Sequence, residues 1–175
     1  MTKDSSQKEI IKNTGIIGGS QIIIILTQII RSKIIAVLLG PTGIGIISLY
    51  SSAIALIQRV TGFGLGFSAV RDIAQAKGSE NNEKIYRTIT ILRKWVLFTG
   101  LLGLTVTLLL SKKLSFWTFG SYSYDLGFAL LSVSVFFSAI STGQIALLQG
   151  LRKLKDMALA NSIGAILGLV AAIPL

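Results

Sequence analysis

Residues 15–39 read GIIGGSQIIIILTQIIRSKIIAVLL, and this stretch decides the fold. From Gly15 to Ile30 there is no charge. Arg31 and Lys33 then interrupt the run, and apolar residues resume up to Leu39, just ahead of Gly40-Pro41. About 20 mainly apolar helical residues are enough to cross the hydrocarbon of a bilayer. A helix on the surface of a soluble domain would show one broad polar face, whereas this one has only a narrow polar stripe. A cation at the centre of a membrane helix costs roughly 3 kcal/mol on insertion scales, so such residues face a bundle interior or a wet cavity.

The rest of the chain repeats the pattern. Residues 126–151, 43–58 and 95–110 are uncharged, as are residues 157–175. Over all 175 residues, 51% are hydrophobic and 14% charged, against about 25% charged in soluble domains. The sequence predicts an all-α, polytopic membrane helix bundle with five spans, near residues 14–39, 43–70, 88–110, 126–148 and 158–175, behind a cytoplasmic head at 1–13. The lysines before span 1 resemble a signal peptide, but the apolar segment far exceeds an h-region and no A-x-A-like site follows. The last span reaches Pro174-Leu175 without closing basic residues, so a longer bundle is expected.

The net charge of +10 reports orientation rather than nucleic-acid binding. Twelve basic residues fall in the head and in the 2–3 and 4–5 connections. Two, Lys112 and Lys113, fall on the opposite side, and three are intramembrane. That asymmetry predicts a cytoplasmic N-terminus. Trp95, Phe116, Trp117, Phe119, Tyr122 and Tyr124 sit near predicted span ends, where amphipathic rings anchor at headgroup depth. Cysteine and histidine are absent, which removes thiolate chemistry and the commonest metal ligand. No cofactor, metal site or catalytic dyad is expected. The Gly62-Phe-Gly-Leu-Gly66 stretch lacks the spacing, preceding strand and lysine of a phosphate-binding loop.

The intramembrane polar residues form two patterns. On a helix, Gln21, Gln28 and Arg31 share an arc of about 80°, while Lys33 lies about 200° from Arg31 and can reach outward along its own stem. On span 2, Ser48, Ser51, Ser52, Ala55, Arg59, Gly62 and Gly66 share an arc of about 100°. On that reading Arg59 is far from both ends and cannot easily snorkel. Ser134, Ser138, Ser141 and Gln149 share a third arc, and Gly15/Gly19, Gly62/Gly66 and Gly164/Gly168 have small-xxx-small spacing. No Asp or Glu lies within a span. A guanidinium there needs an anion, and its planar fork fits phosphate oxygens. A phosphate- or pyrophosphate-bearing lipid would supply it; so would a carboxylate elsewhere in a longer chain.

Two segments carry a family resemblance: R-x-K-x-x-A-x-x-L-G-P-x-G-x-G at 31–45 and G-x-G-x-x-A-V-R-x-I-A at 64–74. With the text around them, from Asn13 to Ala76, the chain resembles bacterial O-antigen translocases. These belong to the polysaccharide-exporter branch of the multidrug/oligosaccharidyl-lipid/polysaccharide exporter superfamily. The resemblance implies an N-terminal part of a transporter with twelve to fourteen helices in two bundles that rock about a cavity. It implies a transporter rather than an enzyme, flipping undecaprenyl-pyrophosphate-linked oligosaccharide across the bacterial cytoplasmic membrane. Implied partners are that glycan lipid, the bilayer, a polysaccharide polymerase and chain-length proteins. Arg59, Arg31, Gln28, Gln21, Ser52 and Lys33 are the expected substrate-binding residues. A drug exporter of the same superfamily would call for a mid-membrane carboxylate and aromatic pocket walls, and a small five-span subunit would call for a closed last span.

Overall fold

The structure is a computed structural model that describes residues 3–79 and 81–170. Six helices follow in chain order: α1 (Lys3–Thr61), α2 (Leu65–Gly78), α3 (Asn82–Leu109), α4 (Ser111–Phe119), α5 (Asp125–Gly150) and α6 (Leu154–Val170). There is no strand among the described residues. Among the described residues, three stretches are long and apolar enough to cross a membrane: Gly18–Thr61, Asn82–Leu109 and Asp125–Gly150. The fold is thus the all-α, membrane-type bundle that the uncharged runs predict. The chain divides into two compact units, residues 1–44 with 153–175, and residues 45–152.

Helix α1 leaves helical geometry at a single residue, Gly40 (φ 64°, ψ −175°). Only glycine adopts that left-handed φ without a steric penalty. Pro41 then restarts the helix, its ring presetting φ and its missing N–H costing nothing in a first turn. The arms at 18–39 and 41–61 are each about 30 Å long at 1.5 Å per residue. The expected break between spans 1 and 2, at 40–42, is therefore one non-helical residue, and residues 3–13, expected as a separate head, continue the first arm as helix.

The expected helix over 43–70 is also two helices. α1 stops at Thr61, Phe63 (φ 46°) and Gly64 (φ 68°) are left-handed, and α2 starts at Leu65. The amide of Gly62 donates to the Gln58 carbonyl (2.9 Å), and that of Leu65 to the Gly62 carbonyl (2.9 Å). Three glycines in five residues lower helix propensity by about 1 kcal/mol each relative to alanine. Gly62 and Gly66 consequently do not share one helix face, and the arc continues only through Arg59.

In the unit of residues 45–152, α2, α3 and α5 pack around Ala69, Ile73, Leu92, Val96 and Ala146. α2 is amphipathic. Ala69, Ile73 and Ala76 are buried while Arg71, Asp72, Gln75 and Lys77 are exposed. Gly150 marks a close approach of α2 to α5, since a Cβ there would lie 2.7 Å from Ile73 Cβ and 3.1 Å from the Val70 carbonyl oxygen. Hydroxyls inside the bundle are satisfied by nearby backbone. Thr107 donates to the Gly103 carbonyl (2.7 Å) and Ser132 to that of Ala129 (2.6 Å), which is how polar residues are accommodated away from water.

At the other end of this unit, residues 111–119 form α4 where a loop was expected. Ser115 Oγ donates to the Ser121 carbonyl (2.5 Å) and accepts from the Tyr124 amide (3.2 Å), fixing the return into α5. Two of the expected interface aromatics turn inward. Phe119 and Tyr124 pack on Tyr50, which also meets the fully buried Phe128 at 4.8 Å and donates to the Tyr124 carbonyl (2.9 Å). An aromatic pocket closed by a hydrogen bond offers these rings more contact than a headgroup layer does. Phe116, Tyr122 and Trp117 remain exposed, the first two stacked at 5.1 Å.

In the unit of residues 1–44 and 153–175, Thr27 is buried and donates to the Ile23 carbonyl (2.7 Å). Gly15, Gly19 and Gly164 have open space where a Cβ would stand. Their small-residue spacing is not used for close packing there. Residues 171–175, the end of the expected fifth span, lie outside the described residues.

Candidate functional site

The first arm of α1 presents Gln21, Gln28, Arg31 and Lys33, all exposed. An uninterrupted helix from Gly18 to Leu39 keeps Gln21, Gln28 and Arg31 on the arc that their spacing sets. Arg31 Nη1 stands 3.6 Å from the position a Cβ would take at Gly168 on α6. The missing side chain leaves the guanidinium room against that helix. Lys33 lines an apolar groove with Ile30, Ile34, Val37 and Leu38, so its stem runs over hydrocarbon as snorkelling requires.

Ser52 and Arg59 belong to the other unit. Ser48, Ser51, Ser52, Ala55 and Arg59 are all exposed, whereas Ile57 and Thr61 on the opposite side are buried. The small-and-hydroxyl stripe is therefore the face of this arm that α3 and α5 leave uncovered. Arg59 occupies the last turn of α1, two residues before the helix ends, rather than the middle of a longer helix. There the cation complements the carbonyls that a helix C-terminus leaves without partners.

The break after Arg59 opens a cavity of about 240 Å³ that the sequence reading did not anticipate, bounded by Gln58, Thr61, Gly64, Thr99, Ser138 and Thr142 among others. Thr61 and Thr99 donate to their own helix, at the Ile57 carbonyl (2.9 Å) and the Trp95 carbonyl (3.0 Å). The glycine density at 62–66 was the one available signal. Of the third arc, Ser138 reaches this cavity, while Ser134, Ser141 and Gln149 are exposed.

These features define a class: a helical membrane protein with broken helices and guanidinium groups on membrane-spanning arms that contain no acidic residue. Comparison with known families is specific. Residues 10–174 match the family described as polysaccharide biosynthesis protein, and the chain belongs to it. No curated protein and no solved structure matches the chain.

Proposed function

We propose that this chain serves to translocate a polyprenyl-pyrophosphate-linked oligosaccharide across the cytoplasmic membrane, for O-antigen or a related surface polysaccharide. The observation that carries this reading is the family match over residues 10–174 of a chain built from membrane-length helices. The arms add chemistry suited to such a ligand. Arg59, and on the other unit Arg31, offer planar forks for phosphate oxygens. Ser52, Gln21 and Gln28 offer hydroxyl and amide partners for sugar, and Lys33 a further cation. The prenyl chain stays in lipid. The twelve-to-two distribution of basic residues supports a cytoplasmic N-terminus; in this reading the substrate loads at the ends carrying Arg71, Arg87 and Arg152. Glycine-rich breaks at Gly40 and Gly62–Gly64 supply points where backbone dihedrals can change during alternating access.

The test is genetic. Deleting the gene in the native host should remove surface polysaccharide and raise the pool of lipid-linked oligosaccharide on the cytoplasmic leaflet. Normal display with an unchanged pool would overturn the proposal.

A further inference from the structure

We propose that the cleft between α2 and α3 binds a zwitterionic phospholipid through a headgroup of the phosphoethanolamine type. The cleft holds about 400 Å³, and its walls include Ser68, Asp72 and Gln75 from α2 with Lys84, Thr88 and Trp95 from α3. A carboxylate and an ammonium thus line one space. Among the described residues, however, no ion pair joins Asp72 to Lys84. Opposite charges that share a cleft without meeting suit a ligand that carries both signs. The ligand's ammonium would meet Asp72 and its phosphate Lys84.

The neighbouring groups favour the same division. Lys77 is already engaged, donating to the Leu151 carbonyl at 2.5 Å, so it does not serve the cleft. Ser68 and Thr88 spend their protons on the carbonyls of Leu65 (3.3 Å) and Lys84 (2.9 Å). That leaves oxygen lone pairs, which can accept from an ammonium but cannot donate to phosphate. A lipid with negative charge alone would have to rest beside Asp72, which costs repulsion.

The cleft also sits where a headgroup would. Trp95, 51% exposed, opens the uncharged run 95–110 directly after Arg93-Lys94, the place an indole takes at a bilayer interface. A second groove of about 270 Å³, lined by Lys94, Trp95 and Phe98, shares Trp95 with the cleft. Its two rings stand edge to face at 5.8 Å. It leads along α3 into the apolar run, as an acyl chain would follow a headgroup. This head-and-tail layout favours a phospholipid over a free zwitterion.

The experiment uses the purified full chain. It is delipidated in detergent and then offered equal amounts of phosphatidylethanolamine, phosphatidylglycerol and phosphatidylcholine with identical acyl chains. Retained lipid is counted by native mass spectrometry. Phosphatidylethanolamine should be retained roughly fivefold over either competitor, the scale of exposed ion pairing. Asp72→Asn should bring the three lipids to parity, and Lys84→Gln should lower phosphatidylethanolamine retention, both with unchanged helical circular dichroism. Equal or greater retention of phosphatidylglycerol, or a preference that survives Asp72→Asn, would overturn the proposal. Both side chains are exposed, so the substitutions leave the core intact.

Discussion

Arg59→Ala should abolish surface polysaccharide in the native host while the protein remains at normal abundance in the membrane. Two roles compete for this side chain. Its position in the last turn of α1 means that a guanidinium there also complements free carbonyls, a contribution of a few tenths to about 1 kcal/mol. If that were all, the substitution would lower stability slightly and leave transport nearly intact. A pyrophosphate contact behaves differently. Losing a bidentate fork removes a charge-assisted pair of hydrogen bonds, and transport should fall roughly 10- to 100-fold. Arg59→Lys separates the two further. A lysine keeps the charge that the helix end needs but cannot make the planar double contact, so it should restore stability and only part of the transport. Quantitative blotting of membranes beside a glycan-display assay checks both variants.

Gly150→Ala should produce a large loss of stability. The new Cβ would lie 2.7 Å and 2.8 Å from Ile73 Cβ and Cγ2 and 3.1 Å from the Val70 carbonyl oxygen. These are the inner atoms of a fully buried side chain and a piece of backbone, so neither can rotate away. The α2–α5 contact must open, at a cost of about 1–3 kcal/mol. In detergent the thermal midpoint should fall by several degrees. Gly164→Ala is the matched control, because nothing lies within 4 Å of its Cβ position. Alanine is favoured over glycine inside a helix by roughly 0.5–1 kcal/mol, so that variant should be as stable as the parent or slightly more so. Equal losses at the two glycines would mean that the packing of α2 on α5 is not as described.

Much of this architecture was legible in the residues. Long uncharged runs leave helix as the only economical way to satisfy a backbone in lipid, so the all-α membrane fold followed directly. Gly40-Pro41 also marked its own break, because a left-handed glycine followed by a proline both ends and restarts a helix. The break at 62–64 was harder to see. Apolar residues continue across it at Phe63, Leu65 and Phe67, and hydropathy does not register a change in φ. That single omission moved Arg59 from the middle of an expected helix to the end of a real one. The inward turn of Phe119 and Tyr124 was hidden for a different reason. It depends on Tyr50, more than 60 residues earlier in the chain, and no local pattern links them. The same applies to Asp72 and Lys84, on two helices and facing one cleft. Spacing finds residues on one helix face but says nothing about two helices that meet.

The measurement that bears most directly on the central claim is flipping in a defined membrane. The purified protein is reconstituted into liposomes that contain a fluorescent polyprenyl-pyrophosphate-linked oligosaccharide. Its exposure on the far leaflet is then followed with a membrane-impermeant quencher. Protein-dependent loss of the protected label, absent from protein-free liposomes, is the predicted result. Label that stays equally protected with and without the protein would contradict it.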